Sequence, residues 1–290
     1  MTQPSAYKVN LLEIFHHRLA NVARELIARP ESKNIKATQI NLVAKSIRDE
    51  AVKRLPTLPI EDRSNFGLVL QYCFSVASLE YRHHVWPYEY MAFSRRVGEL
   101  WEAFCSSAWD NPTRSGVSSM TTPQFSAVRD AVLARLQSNI GNHQNKLEIT
   151  QDIDTLFKVI GDINMAEDRV FAVDGIPHVI DFKSGFGSNE KGNMLRLQTV
   201  GRAYRMWNHQ TKLLLLVRQE RNNNYLNTLR RTALWEVHTG TDAYNQMTLL
   251  TGANFQVIRD SVINWEADLS PDFYQYLKRQ PTDLTSYLSW

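Results

Sequence analysis

Residues 169–182 contain two short runs, RVFAV and IPHVIDF, on either side of Asp174-Gly175. Both runs are rich in β-branched and aromatic residues, and Asp-Gly is the strongest short signal for a two-residue hairpin turn. Such a turn fixes register as well as shape. With Asp174 and Gly175 as the loop, Val173 pairs with Ile176, Phe171 with His178 and Arg169 with Ile180, which leaves Asp168 opposite Asp181. Downstream, LRLQTVGRAYRMW reads as a helix, and LLLLV (213–217), between Lys212 and Arg218, as a buried central strand. A helix that leads from a hairpin strand to a central strand is a crossover, which requires a parallel pair in a mixed sheet. ALWEV (233–237) is a further candidate strand, and LFKVIGDINM is either a strand or the tail of a helix.

The remainder reads as helix. Leu11, Phe15, Leu19, Val22 and Leu26 recur at helical spacing before Pro30, and a second helix is expected over 37–54. FGLVLQYCFSVASLEY (66–81) is apolar on every face, the pattern of a buried helix. Val97, Trp101, Phe104 and Ala108 continue the series, and a polar loop, DNPTRSGVSSMTTP, leads to a helix near 124–137. Ser270-Pro271 marks the start of a helix in the tail. The expected organisation is a helical region over 1–140, serving as clamp or dimerisation element, and an α/β (α+β) core with a helical tail over 141–290. The hydrophobic share of 43% is ample for such a core and excludes a disordered chain. Cys73 and Cys105 stand alone in apolar surroundings, which predicts buried thiols rather than a zinc site or a disulfide. The longest aliphatic run is far short of a membrane helix. The chain is expected to be cytoplasmic, with no membrane partner.

The net charge of +3 hides an uneven distribution: residues 191–231 hold nine basic residues against one acid. Localised positive charge suits a polyanion. The other distinctive feature is IDFK. Asp181 and Lys183 are two apart on a strand and share a face, while Ile180 and Phe182 point the other way, towards the expected core. A carboxylate and an ammonium at the end of an apolar strand are costly unless paired or bound to something. Asp168 and Asp181 repel across the hairpin unless a cation lies between them, and Mg²⁺ is commonly held by one or two carboxylates. Lys183 is placed to orient or deprotonate a water, or to stabilise charge on phosphorus.

Asp168, the hairpin, the Asp181-Phe182-Lys183 triplet, a glycine-containing turn through Gly185 and Gly187, the helix and the buried strand together resemble the PD-(D/E)XK nuclease superfamily over about residues 155–220. The phrase DRVF…DG…VIDFKSG also resembles the RecB-type branch, and Gln198 and Tyr204 approach its Q-x-x-x-Y element at a different spacing. The resemblance implies a restriction-endonuclease-like αβββαβ core with a mixed central sheet. Asp168 and Asp181 would be the metal ligands and Lys183 the catalytic lysine. Asp162, in GDIN, is a rival for the first acid. Glu148 is either a supporting acid or a solvated helix residue.

The implied function is a Mg²⁺-dependent type II restriction-like endonuclease, with Mn²⁺ as substitute. It would cut double-stranded DNA at a specific sequence, as a homodimer, to leave 5′-phosphate and 3′-hydroxyl ends. The alternatives are a RecB-like exonuclease or repair nuclease, and a DNA-binding module without catalysis. Arg202 and Arg205, three apart on one helix, are candidate phosphate contacts. RQERNNNY (218–225) places Arg218, Gln219, Arg221 and Asn222 after the central strand, where they either read base edges or form an ordinary polar loop. RHHVWPYEY (82–90) either stacks on bases or packs between helices. Asp174 is expected to be a turn residue only.

Overall fold

The computed structural model describes residues 3–185 and 191–290. The chain begins with helices α1 (Pro4–Ala28), α2 (Lys33–Val52), α3 (Ile60–Val85) and α4 (Tyr90–Asp110). There follow β1 (Val117–Ser119), α5 (Phe125–Ile140), α6 (Lys146–Ile160), β2 (Arg169–Val173), β3 (Ile176–Lys183), α7 (Lys191–Trp207), β4 (Lys212–Val217), α8 (Asn224–Thr232) and β5 (Glu236–Thr239). Helices α9 (Thr241–Thr251), α10 (Phe255–Ser261), α11 (Trp265–Asp268) and α12 (Pro271–Lys278) complete the order. Two compact units emerge, one of residues 1–115 with 244–290 and one of residues 116–243.

In the first unit α3 is the central helix, and its residues 66–81 are all buried, as an all-round apolar pattern requires. The division differs from a break at residue 140, because the tail packs on the N-terminal helices. Tyr72 meets Trp265 edge-on at 5.0 Å, Phe104 meets Phe255 at 5.9 Å, and the Trp101 indole donates to the Tyr244 hydroxyl at 2.8 Å. The cluster at 82–90 belongs to this packing. His83 lies 4.5 Å from Phe273 and 4.3 Å from Tyr276, and Arg82 stacks over Trp86 and Tyr88. Burial holds the His83 imidazole down at about 4, so it is neutral in the core at pH 7. Both cysteines are buried. Among the described residues no helix is long and apolar enough to cross a membrane.

The second unit is an α+β fold around a five-stranded mixed sheet in the order β1-β2-β3-β4-β5. Asp174 and Gly175 both take positive φ, 52° and 80°, as a type I′ turn demands. The hairpin register is the one the turn dictates: Val173 with Ile176, Phe171 with His178, Arg169 with Ile180. Pro177 sits before the parallel ladder with β4 begins at His178, so its missing N–H costs no ladder bond. Helix α7 crosses over to β4, and α8 connects β4 to the parallel strand β5. LFKVIGDINM resolves as the end of α6 followed by extended chain.

Two readings are corrected. The loop DNPTRSGVSSMTTP contains β1, which pairs antiparallel with β2. This third antiparallel strand is therefore separated from β2 and β3 by α5 and α6, instead of running directly into them as in αβββαβ. Three residues, VSS, on a sheet edge are too short and polar to announce a strand. The core is also not confined to the Ile180/Phe182 side. Both faces of β3 are buried, and the apolar cluster beneath α7 contains Val179, Leu213, Leu215 and Val217 together with Phe125, Val128, Leu197 and Val200. Close approach of α7 to the sheet depends on Gly201. A Cβ there would meet Trp235 Nε1 at 2.6 Å and Leu213 Cδ1 at 3.1 Å. The Trp235 indole is fixed by donating to the Leu197 carbonyl at 2.8 Å. Gly201→Ala is expected to destabilise the fold by about 1–3 kcal/mol through overpacking, measurable by urea unfolding; unchanged or higher stability would contradict this packing.

Candidate active site

Strands β3 and β4 run parallel and end together. Lys183 pairs with Val217, and the Arg218 amide continues the ladder by donating to the Lys183 carbonyl at 2.9 Å. The carboxyl ends of parallel strands are where open α/β sheets bind ligands, because the chain turns away and leaves side chains at the edge. Gly185 follows, and any Cβ there would collide with the Gln219 side chain lying over it.

Val179, Asp181 and Lys183 lie on one face of β3 by the two-residue repeat of a strand. That face is covered by α7, so Asp181 is 1% exposed inside an otherwise apolar layer. Three partners offset its burial. The Lys183 ammonium contacts Oδ1, while also donating to the Phe182 carbonyl at 3.1 Å. The Arg196 guanidinium on α7 donates to Oδ2 at 2.5 Å, and its other arm donates to Glu167 at 2.7 Å. Glu167 itself is in hydrogen-bond contact with Asp181. Burial first, and the neighbouring Asp181 second, push the Glu167 carboxyl up to about 8, against the opposing pull of Arg196.

Asp168 completes the group. The β2–β3 ladder stops at Arg169 and Ile180, and the Phe182 amide donates to Asp168 Oδ2 at 2.6 Å. The side chain thus replaces a main-chain acceptor at the strand end. Asp168 is exposed as a residue, yet its carboxyl is crowded by chain. Desolvation and then Asp181 raise its pKa, while the Phe182 amide, Lys183 and Arg196 lower it. The structure therefore brings together Asp168, Asp181 and Lys183, and adds Glu167 and Arg196, which sequence reasoning passed over. The signal for Arg196 was helical phase. It lies four residues before Val200 and seven before Ala203, so it shares the sheet-facing side of α7.

The other candidates lie elsewhere. Asp162 is exposed in extended chain and lines a groove of about 510 Å³ with Thr122–Ser126. Glu148 is exposed in the first turn of α6. At 100° per residue, Arg202 and Arg205 fall on the side of α7 away from Leu197, Val200 and Tyr204, and Arg205 donates to the His209 carbonyl at 2.8 Å. Arg218 is buried, and Gln219 and Arg221 are exposed beyond the end of β4. The Asn222 side chain ties the turn by donating to the Gln219 carbonyl at 2.7 Å. Tyr204 is buried, its hydroxyl donating to the Met165 carbonyl at 2.7 Å. Gly187 lies outside the described residues.

Among the described residues no group of three or more His, Cys, Asp or Glu is arranged to hold a metal ion. The donor chemistry of a carboxylate pair nevertheless suits a hard cation. In the folded chain Asp181 faces the Lys183 ammonium with Oδ1 and the Arg196 guanidinium with Oδ2, and Asp168 accepts from the Phe182 amide with Oδ2.

The pH response of this group has a definite sign. A buried carboxyl with a raised pKa stabilises the fold fully below its ordinary value of 4.5, and that contribution is lost as pH rises through about 8. In metal-free buffer, Glu167→Gln is expected to flatten the fall in Tm between pH 5 and 8.5 and to be the more stable form at pH 8.5. Melting curves that shift in parallel for both proteins would show that Glu167 does not titrate in this way. Compared with family models, curated proteins and solved structures, the chain matches none.

Proposed function

We propose that the chain is a Mg²⁺-dependent endonuclease of double-stranded DNA, most like a type II restriction enzyme, with Mn²⁺ able to substitute. The observation that supports this reading above others is the pairing of Asp181 with Lys183 at the carboxyl end of β3, with Asp168 against the Phe182 amide. Asp168 and Asp181 would hold Mg²⁺. When bound, that ion would neutralise phosphate charge and make a water easier to deprotonate. Asp181, fixed by α7 and the sheet, orients the site. Lys183 stands beside it, 18% exposed, able to reach a phosphate or an attacking water. The basic excess of residues 191–231 would draw a polyanion towards the same unit. A homodimer would cut both strands.

Supercoiled plasmid incubated with Mg²⁺, with Asp181→Ala as control, tests the reading. Discrete linear products that depend on Asp181 support it. Smearing from ends favours a RecB-like exonuclease, and equal cleavage by the control removes the assignment. The Arg196 bridge favours a second reading, because the acids already have internal counter-charges: a DNA-binding module without turnover. It predicts tight DNA binding in Ca²⁺ or EDTA and no cleavage in Mg²⁺ or Mn²⁺.

A further inference from the structure

The residue that most alters the chemistry of this cluster is Arg196. It reaches from α7 to bridge two carboxylates whose side chains are each 1% exposed, while its own side chain is 39% exposed. One end of the bridge is therefore fixed and dry, and the other can leave for water without losing much packing. The bridge takes Oδ2 of Asp181 and one oxygen of Glu167. It also places a delocalised positive charge against the carboxylate that Mg²⁺ would use.

We infer that Arg196 is a built-in counter-cation that competes with the divalent metal for Asp181. This rests on the nuclease reading and adds a regulatory step to it. Metal-free protein holds the acid pair closed with Arg196, and metal binding requires the guanidinium to release Oδ2. The argument is electrostatic. The Asp181 carboxylate is buried against a second acid, and its negative charge needs positive charge nearby. Arg196 supplies that charge in the metal-free state. A divalent ion meeting a carboxylate already paired with arginine gains less than one meeting a bare carboxylate. Lys183 does not serve in the same way, because its contact is with Oδ1 and, among the described residues, it bridges to no second acid.

The test is Mn²⁺ binding without DNA, followed by electron paramagnetic resonance and by calorimetry, on the full chain and on Arg196→Gln. Removing the competitor is expected to tighten Mn²⁺ binding by about tenfold, the factor that corresponds to roughly 1.4 kcal/mol. Arg196→Lys keeps the charge but cannot span both acids with one planar fork, so its affinity is expected between the two. It also serves as the readout if Arg196→Gln does not fold. A structural arginine that merely braced the site would give the opposite order, with binding weakened in both variants. Wild-type protein that binds Mn²⁺ while Arg196→Gln binds it equally or more weakly overturns this inference alone. Wild-type protein that neither binds Mn²⁺ nor cuts DNA overturns the nuclease reading and this inference with it.

Discussion

Asp181→Asn is expected to lower Mg²⁺-dependent plasmid cleavage by about 10³-fold, the upper range for loss of one group that organises charge at a reacting centre. Asparagine keeps the shape and volume of aspartate, so β3 remains packed beneath α7. The amide can still accept from Arg196, but it offers neither a full charge to a cation nor a counter-charge to Lys183. Removing one partner from a buried ionic group also costs about 3–5 kcal/mol of stability. Cleavage is therefore compared at a temperature where circular dichroism shows both proteins folded. On the proposed reading, DNA binding in Ca²⁺ is expected to change little, because phosphate contacts would come from basic residues and not from this acid. An asparagine variant that is folded and still cuts at the wild-type rate would place the chemistry elsewhere in the chain.

The expectation rests on geometry that was partly legible beforehand, for identifiable reasons. Asp174-Gly175 is decisive because a type I′ turn admits few residues and tolerates no slippage. It specified which residue lies opposite which, and the observed pairs Val173–Ile176 and Arg169–Ile180 follow it. Leu213–Val217 was legible as a central strand because only burial on both faces permits five consecutive aliphatic residues. The crossover through α7 followed from the order of these elements. What stayed hidden depended on tertiary contact. Strand β1 exists because β2 has a free edge, and its own residues carry almost no preference. The tail helices could be seen as helices, but not that Trp265 and Phe273 would pack on α3. Glu167 and Arg196 escaped notice because one lies in extended chain just before a strand and the other was one basic residue among nine in its segment. Their pairing is created only when α7 is laid across the sheet end. The turn located Asp168 and Asp181, whereas the charge balance around them is a property of the folded unit.

Lys183→Met is expected to reduce cleavage by about 10²–10⁴-fold, the usual span for loss of a positioned proton-transfer group. Methionine preserves the apolar stem that runs past Phe182 and removes only the ammonium. Metal affinity is expected to stay level or rise, since a positive charge leaves the neighbourhood of Asp181. This opposite movement of turnover and metal binding separates Lys183 from Asp181, for which both fall. Lys183→Arg then distinguishes two roles for the ammonium. If the group only stabilises negative charge on phosphorus, guanidinium serves nearly as well and restores most of the activity. If it must accept a proton from the attacking water, arginine restores little, because its guanidinium stays charged at every working pH. The strand end favours the first outcome: Lys183 is ion-paired with the buried Asp181 carboxylate, and an ammonium held in an ion pair has no lone pair with which to take a proton from water.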